Sequence, residues 1–466
     1  MTGSNEAGAG FRDLRTWLRH LAATDRLALA RKGTDLTFEL AAIAKRLEND
    51  RAVLFPGPGG HAMPVVANLL AGRRWAAECL GVTEDQALAR YQDAVHRPLP
   101  TVEVADAPVQ EAVHDDVDLL KLLPIPTHNE LDSGPYIAAG LMIARNPETG
   151  VQNVSIHRCQ ISAANRIGVL LLPRHTHAYV NMAERAGRAL EVAIVIGVDP
   201  ASLLASQAIV PLDFDEMTIA GALHGTPVEV VKCRTNAVRV PARAEIVIEG
   251  RILDKVREPE GPFGEFPQYY GPRADRHVIE IDTVTHRQSP IFHTIVGGGL
   301  EHLVLGGIPR EATLLDGLQR SFPNVRDVHL TRGGVCRYHL VVKIDGKEPG
   351  QPKNIMMGAF AGHYDVKQVV VVDSDVDIHD PEQVEWAIAT RFQADTDVLV
   401  VGGAQGSKLD PSSRSGLNAK MGLDATVPPE ADDFAYKKIY VPGEEAVDLD
   451  TDVVADDALL ATLLGS

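Results

Sequence analysis

The chain has little cysteine and no long apolar run. Its four cysteines, Cys79, Cys159, Cys233 and Cys336, include no CxxC pair, so neither a zinc knuckle nor a disulfide framework is indicated and a reducing cytoplasm fits best. No run approaches the roughly 18 apolar residues that a membrane helix needs. Residues 1–10 are polar and lack a basic start followed by an apolar stretch. We therefore expect a cytoplasmic protein without a membrane span or a signal peptide.

Basic residues are in the minority, since 45 Lys and Arg face 63 Asp and Glu and the formal net charge is −18. Such a field repels phosphate backbones and anionic lipid surfaces, so we expect neither nucleic acid nor membrane as a partner. An anionic substrate must be received by local Arg or Lys side chains in a pocket. The glycine-rich segments 297–299 and 402–403 lack the residues of a dinucleotide-binding or phosphate-binding motif.

With 466 residues, the chain is expected to form two or three domains. Apolar spacing predicts helices in 11–31 and 37–47 and a strand at 52–55, and the Pro- and Asp-rich segment 98–124 indicates a connection between domains. The predicted parts are an N-terminal α/β domain (1–115), a central strand-rich domain (116–308), a bridging helix (309–323), a C-terminal α/β domain (324–440) and a tail (441–466).

The central part is predicted to be a β-barrel or a curved sheet. Its predicted strands are 137–144, 152–160, 168–172, 193–197, 228–232, 245–250, 277–284 and 291–296, interrupted by a helix at 178–190. A further helix is predicted at 309–321, with Pro near its start. The C-terminal part alternates strands (337–344, 368–373, 398–402) with helices (352–361, 381–391), which indicates a parallel or mixed sheet, and 420–426 is predicted to be a loop.

The most informative segment is 258–271, where Pro and Gly interrupt regular structure while two carboxylates, Glu260 and Glu265, are kept. Gly and Pro set unusual backbone angles and let a chain approach a ligand closely. Loops held by a scaffold are also where catalytic groups concentrate. We therefore predict a rigid loop at a functional site, with a solvated acidic turn as the alternative.

Other candidates are polar residues on strands and near helix starts. Asn153 and Arg158 are five residues apart in a strand-like run, so both line one cavity only if the strand ends or bulges between them. An edge strand with solvated polar groups is the alternative. His175 and His177 precede a predicted helix, and Glu216 opens a short one. Asn, His and Glu together suit Mn²⁺ or Mg²⁺ better than structural zinc, while purely structural roles for these residues stay open.

With these residues in place, the chain resembles the UbiD family of decarboxylases, which use prenylated FMN. The resemblance covers nearly the whole chain and implies an α/β fold with an N-terminal α/β domain, a central split β-barrel for the cofactor, a linking helix and a C-terminal α/β dimerisation domain. The motifs that carry it are NVSIHR at 153–158, RH at 174–175, GVDP at 197–200, Glu216 ahead of AGA at 220–222, VEVVKC at 228–233, EGPFGE at 260–265 and KMGLDAT at 420–426.

The resemblance implies that Arg158, Glu260 and Glu265 are the catalytic residues. Arg158 would bind the substrate carboxylate, Glu260 would hold the orientation of Arg158, and Glu265 would protonate the carbon that loses CO₂. A desolvated carboxyl group needs a raised pKa to donate a proton near neutrality. Loss of CO₂ from an aromatic ring also needs an electron sink, which the prenylated flavin provides in this family.

The resemblance also implies cofactor and metal sites. Asn153, His175 and Glu216 would hold a divalent metal, usually Mn²⁺, that grips the cofactor phosphate, and K⁺ would lie near Ala205, Ser206 and Glu216. A flavin prenyltransferase would supply the cofactor, and the protein would be a homodimer or a higher homo-oligomer. The implied cofactor contacts are Ser155, Ile156, His157, Arg158, Arg174, His175, Ala205 and Ser206.

Together these inferences predict a carboxy-lyase that catalyses reversible, non-oxidative decarboxylation of an aromatic or heteroaromatic acid and releases CO₂. His302 follows the glycines at 297–299 and is expected to bond a ring N–H or hydroxyl. This favours pyrrole-, indole-, furan- or hydroxybenzoate-type acids over a long prenylated quinone precursor. The alternatives are an oxidoreductase that uses ordinary FMN and a non-catalytic subunit of a decarboxylase complex.

Overall fold

The computed structural model describes residues 10–432 and 434–465, which divide into two compact units after Thr426. Residues 1–9, where no signal peptide is expected, lie outside the described residues. The helices are α1 (Leu14–Ala23), α2 (Glu39–Leu47), α3 (Arg73–Cys79), α4 (Ala87–His96), α5 (Leu119–Leu122), α6 (His175–Arg185), α7 (Pro200–Ala205), α8 (Met217–His224), α9 (Leu300–Ser321), α10 (Gln351–Gly362), α11 (Pro381–Arg391), α12 (Leu449–Asp452) and α13 (Asp457–Leu464).

The strands contribute to five sheets. They are β1 (Leu27–Leu29), β2 (Ala52–Phe55), β3 (Val65–Ala67), β4 (Val102–Glu103), β5 (Ala112–His114), β6 (Tyr136–Ile137), β7 (Leu141–Arg145), β8 (Gln152–Ile156), β9 (Cys159–Ala163), β10 (Arg166–Val169), β11 (Leu190–Ile196), β12 (Glu229–Lys232), β13 (Arg239–Pro241), β14 (Ile246–Glu260), β15 (Phe263–Gly264), β16 (Tyr270–Gly271), β17 (Ala274–His286), β18 (Phe292–His293), β19 (Val325–Leu330), β20 (His339–Ile344), β21 (Gln368–Asp373), β22 (Val398–Gln405) and β23 (Leu417–Ala425).

The N-terminal part contains a four-stranded sheet of order β1-β2-β3-β18. α1 begins after Asp13, whose side chain forms a capping box with Thr16. The helix predicted over 11–31 is wrong in its second half, because α1 ends at Ala23 and residues 27–29 pair with β2 in a parallel ladder. β18 comes from the central part of the chain and pairs with β3, so the two parts share one sheet.

The central part is built on a nine-stranded sheet of order β6-β9-β10-β17-β14-β11-β7-β8, with β5 paired to β17. No ladder joins β6 to β8 among the described residues, so the sheet is open, as in a split barrel. On β11, Ala193 and Val195 pack into one large buried cluster, while Val192, Ile194 and Ile196 pack into another on the opposite face. Cover on both faces explains the nearly continuous apolar sequence of this strand.

Several predicted elements of the central part have different bounds. The stretches 137–144 and 152–160 each divide into two strands, β6 with β7 and β8 with β9. Segment 98–124 is not a free connection, because β4 pairs with β12 and β5 with β17. The loop predicted at 258–271 is wrong in its first part, because pairing with β17 keeps β14 extended as far as Glu260. The remainder contains the β15–β16 hairpin.

Two helices that carry candidate site residues begin earlier than predicted. α6 starts at His175 rather than at 178, because Arg174 has extended backbone angles and forms its N-cap. α9 starts at Leu300 rather than at 309, since Gly299 is its N-cap and Pro309 lies inside the helix. α9 contacts α4, α7, α10 and β19, so it is buried between the central and C-terminal parts.

The C-terminal part is a five-stranded sheet of order β19-β20-β21-β23-β22. β20, β21 and β23 are parallel, and the outer strands β19 and β22 are antiparallel to their neighbours. The sheet, which was predicted to be parallel or mixed, is therefore mixed. The loop predicted at 420–426 is wrong, because most of this segment belongs to β23. Lys420 is buried on this strand, and its ammonium group donates to the carbonyls of Tyr364 and Val366.

Residues 427–432 and 434–465 belong to a separate small unit with α12 and α13. Its leucines Leu459, Leu460, Leu463 and Leu464 are exposed. The domain limits at 115, 308, 323 and 440 stay predictions. Across the described part of the chain, no helix combines the length and the apolar character needed to cross a membrane.

Candidate active site

One cavity of about 570 Å³ collects most of the candidate residues. Its walls come from β8 and the turn after it, the start of α6, residues 206–210, the β15–β16 hairpin, the first half of α9, and residues around 337, 364 and 407. β8 ends at Ile156, before Arg158, so the condition for Asn153 and Arg158 to line one cavity is met. The site is therefore assembled from segments spread over about 270 residues of sequence, from Ala138 to Leu409.

Arg158, Glu260 and Glu265 form a buried ion-pair network at one end of this cavity. Nη2 of Arg158 donates to Oε2 of Glu260 at 2.7 Å, and Nη1 donates to Oε1 of Glu265 at 2.5 Å. The Tyr136 hydroxyl donates to the other oxygen of Glu260 at 3.1 Å. Glu260 is fully buried, whereas Glu265 is 8% exposed and lines the cavity. The two carboxylates thus differ in access to a ligand.

Two glycines make room for this network. A Cβ on Gly271 would lie 2.7 Å from Nη1 of Arg158, closer than Cβ contacts allow. A Cβ on Gly168 would lie 3.3 Å from Cβ of Glu260. Gly271 follows Tyr270 in the β15–β16 hairpin, which also carries Phe263 beneath the guanidinium of Arg158 at 5.6 Å. Gly271 of the 258–271 segment therefore permits close packing against Arg158.

The charges of the network act on Glu265 in opposite directions. Burial raises the pKa of Glu265, the nearby charge of Arg158 and its hydrogen bond lower it, and the charge of Glu260 raises it again, with a net upward shift. Nε of Arg158 is buried without a hydrogen-bond partner among the described residues. Glu265 is accordingly the carboxyl group of the network that is both accessible and biased toward holding a proton.

A second cluster, Asn153, His175 and Glu216, lies where β8 meets the starts of α6 and α8. Nδ1 of His175 is 3.1 Å from Oδ1 of Asn153 and 4.0 Å from Oε1 of Glu216. Oε2 of Glu216 accepts a hydrogen bond from the Val154 N–H at 2.7 Å. Three donor atoms from three elements therefore converge at the cavity wall.

This cluster fits a divalent cation. Burial raises the pKa of Glu216 to about 8, and among the described residues no Lys or Arg forms an ion pair with it. A metal supplies the missing positive charge. Burial and the charge of Arg174 lower the pKa of His175, which keeps its ring neutral and able to act as a ligand. No set of three His, Cys, Asp or Glu side chains able to hold a metal occurs in the described ranges, so a site here depends on Asn153 as the third ligand.

Most of the other residues predicted to contact the cofactor line the same cavity. Ser155, Ile156, His157, Arg174 and Ser206 line the same cavity, but Ala205 does not and is buried behind it. Ser206 Oγ donates to the carbonyl of Leu203 at 2.7 Å. His175 lines the cavity, whereas the ring of His177 contacts that of His277 edge to face at 5.9 Å. The choice of His175 as the metal ligand stays a prediction.

Three models of one family match successive parts of the chain. They are the N-terminal domain of 3-octaprenyl-4-hydroxybenzoate carboxy-lyase at residues 18–95, its Rift-related domain at 101–300 and its C-terminal domain at 303–425. The chain belongs to the UbiD family. It is accordingly an enzyme, a carboxy-lyase, and the resemblance inferred from the motifs is confirmed.

Similar proteins include sequence relatives and solved structures. Anhydromevalonate phosphate decarboxylase of Methanothermobacter thermautotrophicus is 40% identical over 393 residues, which are 84% of this chain and 92% of that protein. The UbiD-class enzyme HmfF from Pelotomaculum thermopropionicum, solved in complex with FMN, is 49% identical with a TM-score of 0.92 and covers 94% of this chain and 99% of its own. Apo 3,4-dihydroxybenzoic acid decarboxylase (AroY) of Klebsiella pneumoniae is 30% identical with a TM-score of 0.84, over 90% of this chain and 95% of its own.

Sequence reasoning missed several residues of this UbiD-family cavity. Arg310 and Arg337 line it together with His302, and Tyr136 supports Glu260 from behind. Arg310 lies on α9, eight residues after His302, inside a helix whose sequence indicates only an apolar stripe. Arg337 lies in the turn before β20. In the sequence, Arg310 and Arg337 were indicated only by the general argument that an acidic chain must bind an anionic substrate through local Arg or Lys residues.

Proposed function

We propose that the protein catalyses the reversible, non-oxidative decarboxylation of a small aromatic or heteroaromatic carboxylic acid. The observation that carries this proposal is the Arg158 guanidinium held between Glu260 and Glu265 at the wall of a cavity of about 570 Å³. A ring acid is supported by similar structures named 3,4-dihydroxybenzoic acid and vanillic acid decarboxylases. The sequence relatives are named for decarboxylation of anhydromevalonate phosphate. The proposal of a ring acid as the substrate therefore depends on the similar solved structures.

The chain's own residues divide the chemistry between them. Arg158 binds the substrate carboxylate through guanidinium hydrogens that its two glutamates leave free, and Glu260 holds Arg158 in place. The bond between ring carbon and carboxylate breaks, CO₂ leaves without the bonding electron pair, and the carbon takes a proton from Glu265. The upward shift in the pKa of Glu265 increases the fraction that carries this proton.

A flavin is the proposed cofactor, since similar structures contain FMN or prenylated FMN. When bound, prenylated FMN supplies the electron sink that release of CO₂ from a ring requires. Ser155, Ile156, His157 and Arg174 would contact it. Asn153, His175 and Glu216 would hold Mn²⁺ at its phosphate, with K⁺ near Ser206 and the backbone of Ala205. The protein would act in the cytoplasm as a homodimer or higher oligomer and would receive its cofactor from a flavin prenyltransferase.

The test is expression with and without a flavin prenyltransferase, followed by the absorbance spectrum, the cofactor mass and CO₂ release on hydroxybenzoic, furoic, pyrrole-2- and indole-3-carboxylic acids. We expect turnover only with the prenylated flavin. Glu265→Gln should bind flavin as the parent does and lose CO₂ release and H/D exchange at the ring carbon. Glu258→Gln is the matched control, because Glu258 precedes Glu260 on β14 but pairs with the partly exposed Arg166.

Three outcomes would contradict the proposal. Equal activity with ordinary FMN would indicate an oxidoreductase, and flavin binding without turnover of any ring acid would indicate a different substrate or a non-catalytic subunit. Full activity of Glu265→Gln would remove the assigned proton donor. The control variant separates these results from a general effect of charge removal on β14.

A further inference from the structure

The Tyr136 hydroxyl faces three acceptors but has one proton to donate. It lies 3.1 Å from Oε1 of Glu260, 3.1 Å from Oε1 of Gln160 and 3.4 Å from the Pro262 carbonyl. Tyr136 is 1% exposed. Burial and the charge of Glu260 raise the pKa of Tyr136, so its hydroxyl keeps the proton and acts as a donor.

Two of the three acceptors have another donor. The Gly261 N–H donates to Oε1 of Gln160 at 3.0 Å, while Nε2 of Gln160 donates to the Ser133 carbonyl at 2.8 Å. The Ser133 N–H donates to the Pro262 carbonyl at 3.0 Å. Oε1 of Glu260 has no other donor among the described residues, and a carboxylate accepts more strongly than an amide or a carbonyl group. The hydroxyl proton is therefore directed to Glu260.

Two strands and an aromatic ring fix this hydroxyl in place. β6 pairs with β9 so that Tyr136 lies directly opposite Gln160. The ring of Tyr136 packs against that of Phe263 at a centroid distance of 4.4 Å, and Phe263 also lies beneath the guanidinium of Arg158. Glu260 is the last residue of β14. The same packing therefore positions the donor, the carboxylate and the guanidinium relative to one another.

Glu260 and Glu265 compete for a single proton. Both carboxylates contact Arg158, and two like charges at one site favour the state in which one of them is protonated. In the exchange between them, one carboxyl group gives up its proton and the other carboxylate takes it, so the total charge is unchanged. Because Glu265 lines the cavity and Glu260 is fully buried, only a proton on Glu265 can reach a ligand.

Hydrogen-bond donors are distributed unequally over the two carboxylates. Glu260 accepts from Arg158 on one oxygen and from Tyr136 on the other. Glu265 accepts from Arg158, with a smaller effect from the Phe266 N–H. A hydrogen bond to the ionised form of a carboxyl group stabilises that form. The Tyr136 hydroxyl thus favours ionised Glu260 and leaves the proton to Glu265.

We propose that Tyr136 is a positioning residue of the reaction, whose hydroxyl holds Glu260 in the ionised state and thereby directs the transferable proton to Glu265. This inference rests on the proposed function and deepens it, because it assigns how one of two neighbouring carboxyl groups is selected as the acid. Tyr136 does not line the cavity, so it acts through Glu260 and not on the substrate.

The first test locates the proton in flavin-loaded protein without any turnover. Tyr136→Phe keeps the ring against Phe263 and removes only the hydroxyl. Infrared difference spectra between the parent and Glu265→Gln identify the C=O band of the protonated carboxyl group, and spectra of Tyr136→Phe with and without Glu260→Gln show whether the proton has moved. A hydrogen bond to a charged group changes an equilibrium by about 10- to 100-fold, so we expect a shift toward Glu260 by that factor.

The second test is kinetic. Tyr136→Phe should lower the plateau of kcat by about 10-fold or more and leave KM unchanged, because Arg158 is retained while Glu265 is more often ionised. The alkaline limb of kcat should not move to lower pH, since the pair as a whole binds its proton no less tightly. In the Glu260→Gln background the same substitution should have no further effect, because the proton cannot move to an amide. A merely structural role of Tyr136 would lower kcat in both backgrounds.

Two further proteins separate the hydroxyl bond from packing. Tyr91→Phe is the matched control, because Tyr91 is also 1% exposed and donates to the Leu204 carbonyl at 3.0 Å, outside the Arg158 network. It should leave the infrared band on Glu265. 3-Fluorotyrosine at position 136 keeps the shape of the side chain and is a stronger donor, so the share of the proton on Glu265 should be at least that of the parent.

The outcomes distinguish this inference from the proposed function. An infrared band that stays on Glu265 in Tyr136→Phe, an equal loss of kcat in both backgrounds, or a shift toward Glu260 with 3-fluorotyrosine overturns the inference, even where ring acids are turned over. A band that moves to Glu260 as expected, in a protein that releases CO₂ from no ring acid, supports the role of Tyr136 and overturns the proposed function alone.

Discussion

Replacing Glu260 by Gln removes one negative charge from the buried Arg158 network without shortening the side chain. Glu260 is fully buried, accepts from Arg158 at 2.7 Å and accepts from the Tyr136 hydroxyl at 3.1 Å. In Glu260→Gln the amide oxygen can still accept from Arg158, and Tyr136 can turn its hydroxyl toward Gln160, 3.1 Å away. The variant therefore isolates the loss of charge from the loss of packing.

The expected loss in the free energy of unfolding depends on the ion pair that Arg158 retains in this variant. Breaking a buried ion pair outright costs about 3–5 kcal/mol, but Arg158 retains Glu265 at 2.5 Å. We therefore expect the free energy of unfolding to fall by about 1.5–3 kcal/mol, the range of a hydrogen bond to a charged group. Glu258→Gln, which removes a pair with the partly exposed Arg166, should cost less than about 1 kcal/mol.

The same substitution should change the pH dependence of activity. The charge of Glu260 raises the pKa of Glu265, so its removal lowers that pKa. Glu265 acts in its protonated form and loses activity as the pH rises through its pKa, so the alkaline limb of kcat should move to lower pH. Denaturant unfolding and the kcat–pH profile are measured for both variants. A stability loss no larger than that of Glu258→Gln, or an alkaline limb that is unmoved or moves upward, would refute the reasoning.

Two further predictions concern the acid stability and the metal. Burial raises the pKa of Glu311, but Arg73 and His329 outweigh it and hold the value at about 2 against an ordinary 4.5. The lowered pKa of Glu311 contributes about 3 kcal/mol of stability above pH 4.5, and this contribution is lost as the pH falls toward 2. Glu311→Gln should therefore be less stable than the parent at pH 7 and should lose less stability on acidification, as measured by urea unfolding at each pH. Parallel curves of stability against pH for the two proteins would contradict this. Glu216→Gln should weaken Mn²⁺ binding by about 10- to 100-fold in calorimetry, because it removes the charged ligand. Asp118→Asn, at a partly exposed N-cap, should leave Mn²⁺ binding unchanged. Equal affinity of Glu216→Gln and the parent would place the metal elsewhere.

The candidate site could be predicted from the sequence where a motif carried it. Arg158, Glu260 and Glu265 were predicted together and lie together, and the strand break needed between Asn153 and Arg158 occurs at Ile156. Their roles stay predictions, because geometry shows contact and charge but not chemistry. The nature of the 258–271 segment was only half predicted, since the pairing of β14 with β17 as far as Glu260 overrides the local preference of Pro and Gly for irregular structure.

The bounds of α9 and the proximity of Arg310 to Arg337 in the cavity wall could not be predicted. Pro309, just ahead of the predicted apolar stripe, indicates a helix start, but burial of α9 against α4, α7, α10 and β19 stabilises a longer helix around it. Arg310 and Arg337 are 27 positions apart in the sequence, and both lie against Gly306. No local pattern connects them, because each is surrounded by ordinary helix or turn sequence.

By itself, the sequence determined the elements whose signal is local. The apolar periodicity of α2, the continuous apolar runs of β2 and β21, the acidic surface and the family motifs all depend on residues a few positions apart. Only the tertiary structure decided which charges lack a partner. Glu260 and Glu265 lie 102 and 107 positions from Arg158, and the pairing of β14 with β17 and the packing of α9 set which atoms meet. Burial and ion pairing depend on these long-range contacts. The pKa of Glu265 depends on them too, and so does Nε of Arg310, which has no hydrogen-bond partner among the described residues.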